Sequence, residues 1–569
     1  MQRQVIRYVR LVLLAVALGL FCEYFTPGAD QRLVDGLWLL ALGLWISEVW
    51  ASGGTLSRPR LAWADVWPIG ALLLLLVIAW LPFYNNWRWA YTGDSVAWFG
   101  VGASPAVHGL SQNILSLRGV DNNFTYLHGL AFNSLLFIFA PTLFWHRVGK
   151  LIVSCLSLAT IYAYFTRMAS RWWAAAVVLC MAVNYVWLWF SYVSYAHMDS
   201  YIFYFSTLLL GQMLWREPDR LGLWMLLGLI GGLSMFFTQT SWSAVLLVGL
   251  VLGGRALVQR RFAALVVYAV SFLLVVVPIL LQFQDLLSMT TRQAKSIYEW
   301  DYLRGIFSAI MWLPYRSGIN GLGVRGAFLR MPLGVLYLAG VPLALLAIVP
   351  PIRRALRLPV VVPLILGLLL WDAVLMTLTN NGYGQPSTKR CYALIPLQVF
   401  LALLPLYAVH AWLSGWKWLG RGVVAVTAAV MGAYAVANLL MIVYPTFALY
   451  GVNVFDAMIE LRQRFPERPV VLFSSRAEIV KELLRPDGFY SENYHLRDTL
   501  TSQHKFTPEA LQTACSAHAI ICYEPNPDAA AMEQMVGPVK ETVHDFPILN
   551  ANEVRCLECT TPAATTGGR

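Results

Sequence analysis

The sequence predicts a polytopic α-helical membrane protein of about 13 spans that carries a small C-terminal soluble α/β domain. Three observations carry this reading. Of 569 residues, 58% are hydrophobic and 12% charged, with mean hydropathy +0.60, about half the charged share of a soluble protein. Apolar runs of about 16–20 residues, long enough to cross a bilayer, recur up to residue 443. From Tyr444 onward those runs stop, and short helical and strand patterns alternate.

The runs fall near 8–24, 33–50, 66–83, 129–146, 150–166, 173–190, 201–215, 221–237, 242–254, 263–282, 331–350, 359–378, 394–412 and 423–443. The first, "LVLLAVALGLF", follows Arg3, Arg7 and Arg10 as a secretory signal would. It lacks a small-x-small cleavage site and runs into Glu23, so it reads as a retained first span.

Basic residues set the sidedness. The formal charge of +11 lies mostly in short loops, as membrane topology requires, and does not point to nucleic acid. Arg3, Arg7 and Arg10 place the N-terminus in the cytoplasm, and Arg58 with Arg60 place the second loop there. "REPDR" (216–220), "RALVQRR" (255–261), "IRRALR" (352–357) and "KWLGR" (417–421) read as cytoplasmic too. Segments 84–128, 191–200, 283–330, 379–393 and the tail then face outward. The two ends agree only if one segment between 129 and 190 fails to cross. Irregular backbone at membrane depth is tolerated where it lines a cavity.

Two domains result: a membrane domain over 1–443, with outer loops 84–128, 283–330 and 379–393, and an outward α/β domain over 444–569. In the latter, "VFDAMIELRQRF", "RAEIVKELLR" and "PEALQTACSA" read as helices, and "RPVVLFSS" and "AIICYEP" as strands. Four of the eight Cys (Cys515, Cys522, Cys556, Cys559) follow residue 500. "CLEC" (556–559) has no zinc-finger partner pair and reads as disulfide-forming with Cys515 or Cys522, or as incidental.

Outward polar groups are concentrated. Asp94 and Asp121 lie in the first loop, and Asp199 in "SYVSYAHMDSYIF". Arg304 and Arg316 lie in the long loop, and Lys389 and Arg390 in "NNGYGQPSTKRCYALIP". Ionisable groups at a membrane bundle are costly unless paired or used.

The order of these parts resembles the GT-C glycosyltransferases, dolichyl-phosphate-mannose mannosyltransferases among them: polytopic enzymes that take sugars from polyprenyl-phosphate donors on the outer face. The resemblance covers residues 66–410 and rests on layout. Asp94 in "YTGDSVAWF" resembles the family's first-loop catalytic acid, and Asp199 in "AHMDSYIF" its second acid. Arg390 and Tyr392 in "STKRCYALIPL" resemble the late Arg-Tyr element near the lipid phosphate. Such chains often carry two adjacent acids in the first loop, whereas here Ser95 follows Asp94. No cofactor is implied, and a divalent metal is left open.

The chemistry suits these residues. An acceptor hydroxyl attacking an anomeric carbon needs one base, and a carboxylate shielded by Trp89, Tyr91 and Trp98 has raised proton affinity. Polyprenyl phosphate leaves as a stable anion and needs cations, for which Arg is suited. A glycosidase would need two carboxylates flanking one bond. One base with a basic cluster favours inverting transfer. The expected set is catalytic Asp94 and Asp199; phosphate-binding Arg390, Lys389, Arg316, Arg304 and Tyr392; and substrate-binding Trp98, Tyr91, His197 and Asp121.

Structural alternatives stand beside each. Asp94 and Asp199 also read as helix N-caps, His197 as a hydrogen-bonded filler, Lys389 and Arg390 as snorkelling anchors, and the aromatics as an interfacial belt. Asp372, inside a span, either pairs with another helix or is a cost. The expected protein is a multi-pass glycosyltransferase of a bacterial inner membrane, with a cytoplasmic N-terminus and a periplasmic tail. Its expected partners are a polyprenyl-phosphate-linked sugar, a lipid, glycan or protein acceptor, and membrane lipid, with no nucleic acid. A flippase or transporter of lipid-linked sugars, or a surface-polysaccharide ligase or polymerase, would use similar groups.

Overall fold

The computed structural model describes residues 2–25, 30–53, 63–84, 115, 136, 143–184, 187–188, 191, 199–237, 241–282, 305–307, 310, 332–378, 394–413 and 416–448. In the tail it describes 470–473, 500–503, 513, 516–517, 519–523, 542–548 and 552–558. The helices are α1 (Gln2–Tyr24), α2 (Gln31–Ala51), α3 (Trp63–Tyr84), α4 (Leu143–Met168), α5 (Arg171–Ala182), α6 (Ser200–Arg216) and α7 (Leu221–Ser234). They continue with α8 (Trp242–Val258), α9 (Phe262–Leu281), α10 (Leu333–Leu346), α11 (Pro350–Ala355), α12 (Val362–Leu378), α13 (Leu394–Leu413) and α14 (Lys417–Ala448). Among the described residues, six are long and apolar enough to cross a membrane, and six more are shorter apolar helices. The chain is a multi-pass α-helical membrane protein.

Two predicted boundaries differ. The sequence breaks one span at 146 and opens the next at 150, but the helix is continuous across that break, α4 running over Leu143–Met168. His146, Arg147 and Lys150 look like loop residues by charge, yet no helix breaker lies among them, so the backbone ladder continues. At the other end, α14 reaches Ala448, past the predicted end of the last span at 443.

α1 and α2 form an antiparallel hairpin fastened by charge. The Arg7 Nε lies 2.8 Å from Glu48 Oε1, and the Arg10 guanidinium donates to the Ser47 carbonyl at 2.9 Å. The start of α1 and the end of α2 therefore share one side of the bundle. Val5, Val9, Val12 and Val16 of α1 are exposed apolar residues, a face suited to lipid. α2 is tied to α9 by two indole N–H donors, from Trp38 to the Leu274 carbonyl at 2.9 Å and from Trp45 to Ser271 Oγ at 2.8 Å. Each donor is satisfied without water.

Small residues set the closest helix contacts, as expected where lipid gives little hydrophobic drive to association. Gly228 and Gly232 let α7 lie against α9: a methyl group at Gly228 would stand 2.5 Å from the Tyr268 carbonyl, and one at Gly232 would stand 2.6 Å from Val275 Cβ. At Gly340 a methyl group of α10 would collide with the Leu401 carbonyl of α13. Gly340→Ala is therefore expected to destabilise the bundle by about 1–3 kcal/mol or more. Gly367→Ala, where nothing lies within 4 Å, should be neutral. Thermal unfolding of the two detergent-purified variants checks this, and equal midpoints would contradict it.

α13 is the central helix. Every residue from Leu394 to Leu404 is buried, so its first half has protein on all sides. Phe165 of α4 stacks on Phe400 of α13 at 5.2 Å between ring centroids and meets Phe205 of α6 at 6.2 Å, with Tyr164 at 5.6 Å from Phe205. One aromatic cluster thus joins α4, α6 and α13.

The tail holds a five-stranded sheet of β1 (Val470–Phe473), β2 (Leu500–Gln503), β3 (Ile520–Tyr523), β4 (Thr542–Ile548) and β5 (Asn552–Glu558), in the order β2-β1-β3-β5-β4. β1 pairs parallel with β2 and with β3, while β5 pairs antiparallel with β3 and β4. The predicted strands in "RPVVLFSS" and "AIICYEP" are β1 and β3. The helices predicted at "VFDAMIELRQRF" and "RAEIVKELLR" lie outside the described residues. Of "PEALQTACSA", Thr513, Ser516 and Ala517 are described, and the Ala517 amide donates to the Thr513 carbonyl at 3.1 Å, a helical bond.

Candidate functional site

Lys150 and Asp199 form a salt bridge of 2.6 Å between Nζ and Oδ2, with side chains 2% and 0% exposed. Lys150 sits on α4, about 10 Å along the helix from Leu143 at about 1.5 Å per residue. Asp199 stands immediately before α6.

The local sequence explains the placement. Lys150, Ser154 and Ser157 recur at spacings of four and three and share one face of α4. All three are buried, whereas Ile152 and Leu156 are exposed. Ser154 Oγ donates to Ser191 Oγ at 2.7 Å, and Ser191 Oγ donates to the Trp187 carbonyl at 2.8 Å. The Trp187 ring packs against Tyr201 of α6 at 4.7 Å. Asn184 accepts from the Trp187 amide at 3.0 Å and donates to the Tyr434 hydroxyl of α14 at 2.6 Å. Polar side chains thus hold the segment after α5 against α4 and α14.

Asp199 occupies the N-cap position of α6, but its backbone is helical (φ −67°, ψ −21°) and its side chain makes no capping bond. Its carboxylate engages Lys150 instead. Burying two opposite charges costs several kcal/mol per ion before their attraction repays it, and such pairs inside membranes mark functional paths by default. Chemically, the pair holds an ammonium in one position with its charge balanced.

A second buried carboxyl lies deeper. The Tyr204 hydroxyl of α6 donates to Asp372 Oδ2 of α12, and the Trp371 indole donates to the Ser243 carbonyl of α8 at 3.0 Å. Asp372 therefore pairs with another helix. Tyr204→Phe, which removes the donor and leaves the carboxyl buried, is expected to lower stability by about 1–2 kcal/mol. The same change in an Asp372→Leu background should cost less, and thermal unfolding of the four proteins measures the difference.

Of the expected catalytic, phosphate-binding and substrate-binding residues, Asp199 is the one described. Asp94, Tyr91, Trp98, Asp121, His197, Arg304, Arg316, Lys389, Arg390 and Tyr392 lie outside the described residues. Lys150 was not singled out. A lysine inside an otherwise apolar helical run, where an ionisable group is costly unless paired, is the signal that would have found it. Among the described residues no three His, Cys, Asp or Glu side chains converge as metal ligands.

No family model matches the chain, and no curated protein sequence matches it. Among solved structures it is similar to ArnT from Cupriavidus metallidurans bound to undecaprenyl phosphate, at 13% identity and TM-score 0.47, over 88% of this chain and 99% of that one. The apo form of the same ArnT gives 13% identity and TM-score 0.49 over the same shares. The arabinosyltransferase EmbB from Mycobacterium smegmatis gives 14% identity and TM-score 0.39, over 76% of this chain and 46% of that one. At such identities and TM-scores below 0.5, none of these likenesses assigns this chain an activity.

Proposed function

We propose that this chain is a GT-C-type membrane glycosyltransferase that moves a sugar, with inversion, from a polyprenyl-phosphate donor to an acceptor hydroxyl on the outer face. The observation that carries the reading is the buried Lys150–Asp199 pair, on helices that share an aromatic cluster with α13. α13 is entered from "STKRCYA", and its first half is enclosed by protein. A helix with no lipid face at that end favours phosphate contact over snorkelling for Lys389 and Arg390.

In this reading Asp94 takes the acceptor proton as the new C–O bond forms at the anomeric carbon. The bond from that carbon to the phosphate oxygen breaks, and its electron pair leaves with polyprenyl phosphate. Arg390 and Lys389, with Arg316, Arg304 and Tyr392, hold the phosphate where negative charge develops. Asp199 acts through Lys150, fixing an ammonium at the outer side. Trp98, Tyr91, His197 and Asp121 line the sugar or acceptor. About 13 spans put the N-terminus in the cytoplasm of a bacterial cell and the tail, a small α/β domain, in the periplasm. The tail covers the site or selects the acceptor.

The test is transfer of labelled sugar from polyprenyl-phosphate donors by the purified protein, with the anomeric configuration of the product read by NMR. Inverted product is expected. Retained configuration would overturn the single-displacement step. No transfer from any such donor, with lipid-linked sugars carried across vesicle membranes, would replace the reading with a transporter.

A further inference from the structure

The geometry of the tail sheet points to a covalent link: we propose that Cys522 of β3 and Cys556 of β5 form a disulfide. The two face each other in the antiparallel ladder, between the pairs Ile521–Leu557 and Tyr523–Arg555. Directly opposed residues of such a ladder have Cα atoms about 4.5–5.5 Å apart, inside the range of about 4.4–6.8 Å that a disulfide spans. Opposed positions also share a face of the sheet. The sequence left both Cys515 and Cys522 as partners for the Cys556–Cys559 pair. The register selects Cys522 with Cys556, because Cys559 lies beyond the end of β5 and Cys515 precedes β3.

The link has a structural purpose. β2, β1 and β3 form a parallel half-sheet, and among the described residues the β4–β5 hairpin joins it through the β3–β5 ladder. A bond at Cys522–Cys556 fastens the hairpin across that seam. The tail's outward placement supplies the oxidising compartment in which such bonds form and persist. Formation proceeds by exchange with a protein disulfide: one Cys thiolate attacks it, giving a mixed disulfide and one released thiol. The second Cys displaces the other thiol. The S–S bond of the tail is made, that of the oxidant is reduced to two thiols, and the protons pass to those thiols.

This inference rests on the sheet register and the outward tail, not on glycosyl transfer, so each can fail without the other. The test uses the full-length protein, denatured and alkylated without reductant, then mapped by non-reducing peptide mass spectrometry. A linked peptide joining Cys522 to Cys556 is expected, and Cys522→Ser and Cys556→Ser should each free one alkylatable thiol at the opposite position. Alkylation of both thiols in wild type without reductant would overturn the proposal. So would linkage of Cys556 to Cys515 or Cys559. His544 stands opposite Cys556 on β4, so a shared metal ion is the competing explanation of masked thiols. If a chelator alone, without reductant, unmasked both, that would overturn the disulfide as well.

Discussion

Replacing Asp94 by Asn is expected to lower sugar transfer by about 10²–10⁴-fold, the usual share of a positioned general base, while donor binding persists. The substitution keeps the size of the side chain and its ability to accept a hydrogen bond at a helix start, and it removes the proton acceptor. A capping role would survive it with little loss, since Asn caps as well as Asp. Single-turnover transfer from a labelled donor, measured beside polyprenyl-phosphate binding, separates the two roles. Loss of turnover with binding intact makes Asp94 the base. Equal turnover returns Asp94 to capping and moves the search for the base to Asp121. Asp199 is a weaker candidate, because its Oδ2 is already engaged by Lys150.

The second large effect concerns that pair. Lys150→Met leaves the Asp199 carboxylate buried without its cation and is expected to cost about 3–5 kcal/mol of stability. Asp199→Leu, which strands the ammonium, should cost a similar amount. The double variant Lys150→Met/Asp199→Leu is expected to regain most of the loss, because an apolar pair of similar volume packs as well as an ion pair. Thermal unfolding of the four proteins gives the coupling, and transfer activity gives its use. A double variant that is folded and inactive assigns the pair to the reaction. One that is folded and active makes the pair structural. Single variants within about 0.5 kcal/mol of wild type, the range of ordinary surface changes, would contradict the buried ion pair itself.

How far the sequence reached depended on whether a feature is local. α1, α2, α9 and α13 were legible as runs because the bilayer demands an unbroken apolar stretch. The Arg7–Glu48 contact, between residues 41 positions apart, was not legible. The pairing of Lys150 with Asp199 was not legible, because the two residues are 49 positions apart. The expected runs stopped at 146 and reopened at 150, whereas α4 is continuous over Leu143–Met168. Close helix approaches at Gly228 and Gly340 escaped for a related reason: a glycine shows where a helix can be touched, not by which neighbour. In the tail, β1 and β3 announced themselves as apolar runs. β2, β4 and β5, with "LTSQ", "TVHDFPI" and "NEVRCLE", are polar enough to pass for loops. Asp372 was left between pairing and cost, and its bond from Tyr204 decides for pairing.

The 49 residues between Lys150 and Asp199 also measure time. At about 5–20 residues per second of synthesis, the lysine joins the chain about 2–10 s before the aspartate does. Until Asp199 is made, the acid that pairs with Lys150 is absent. The long lysine side chain can reach back to the headgroups meanwhile. The buried pair closes only when the start of α6 delivers the acid. The ion pair therefore closes late, and a nascent chain halted before residue 199 holds Lys150 without the acid that buries beside it.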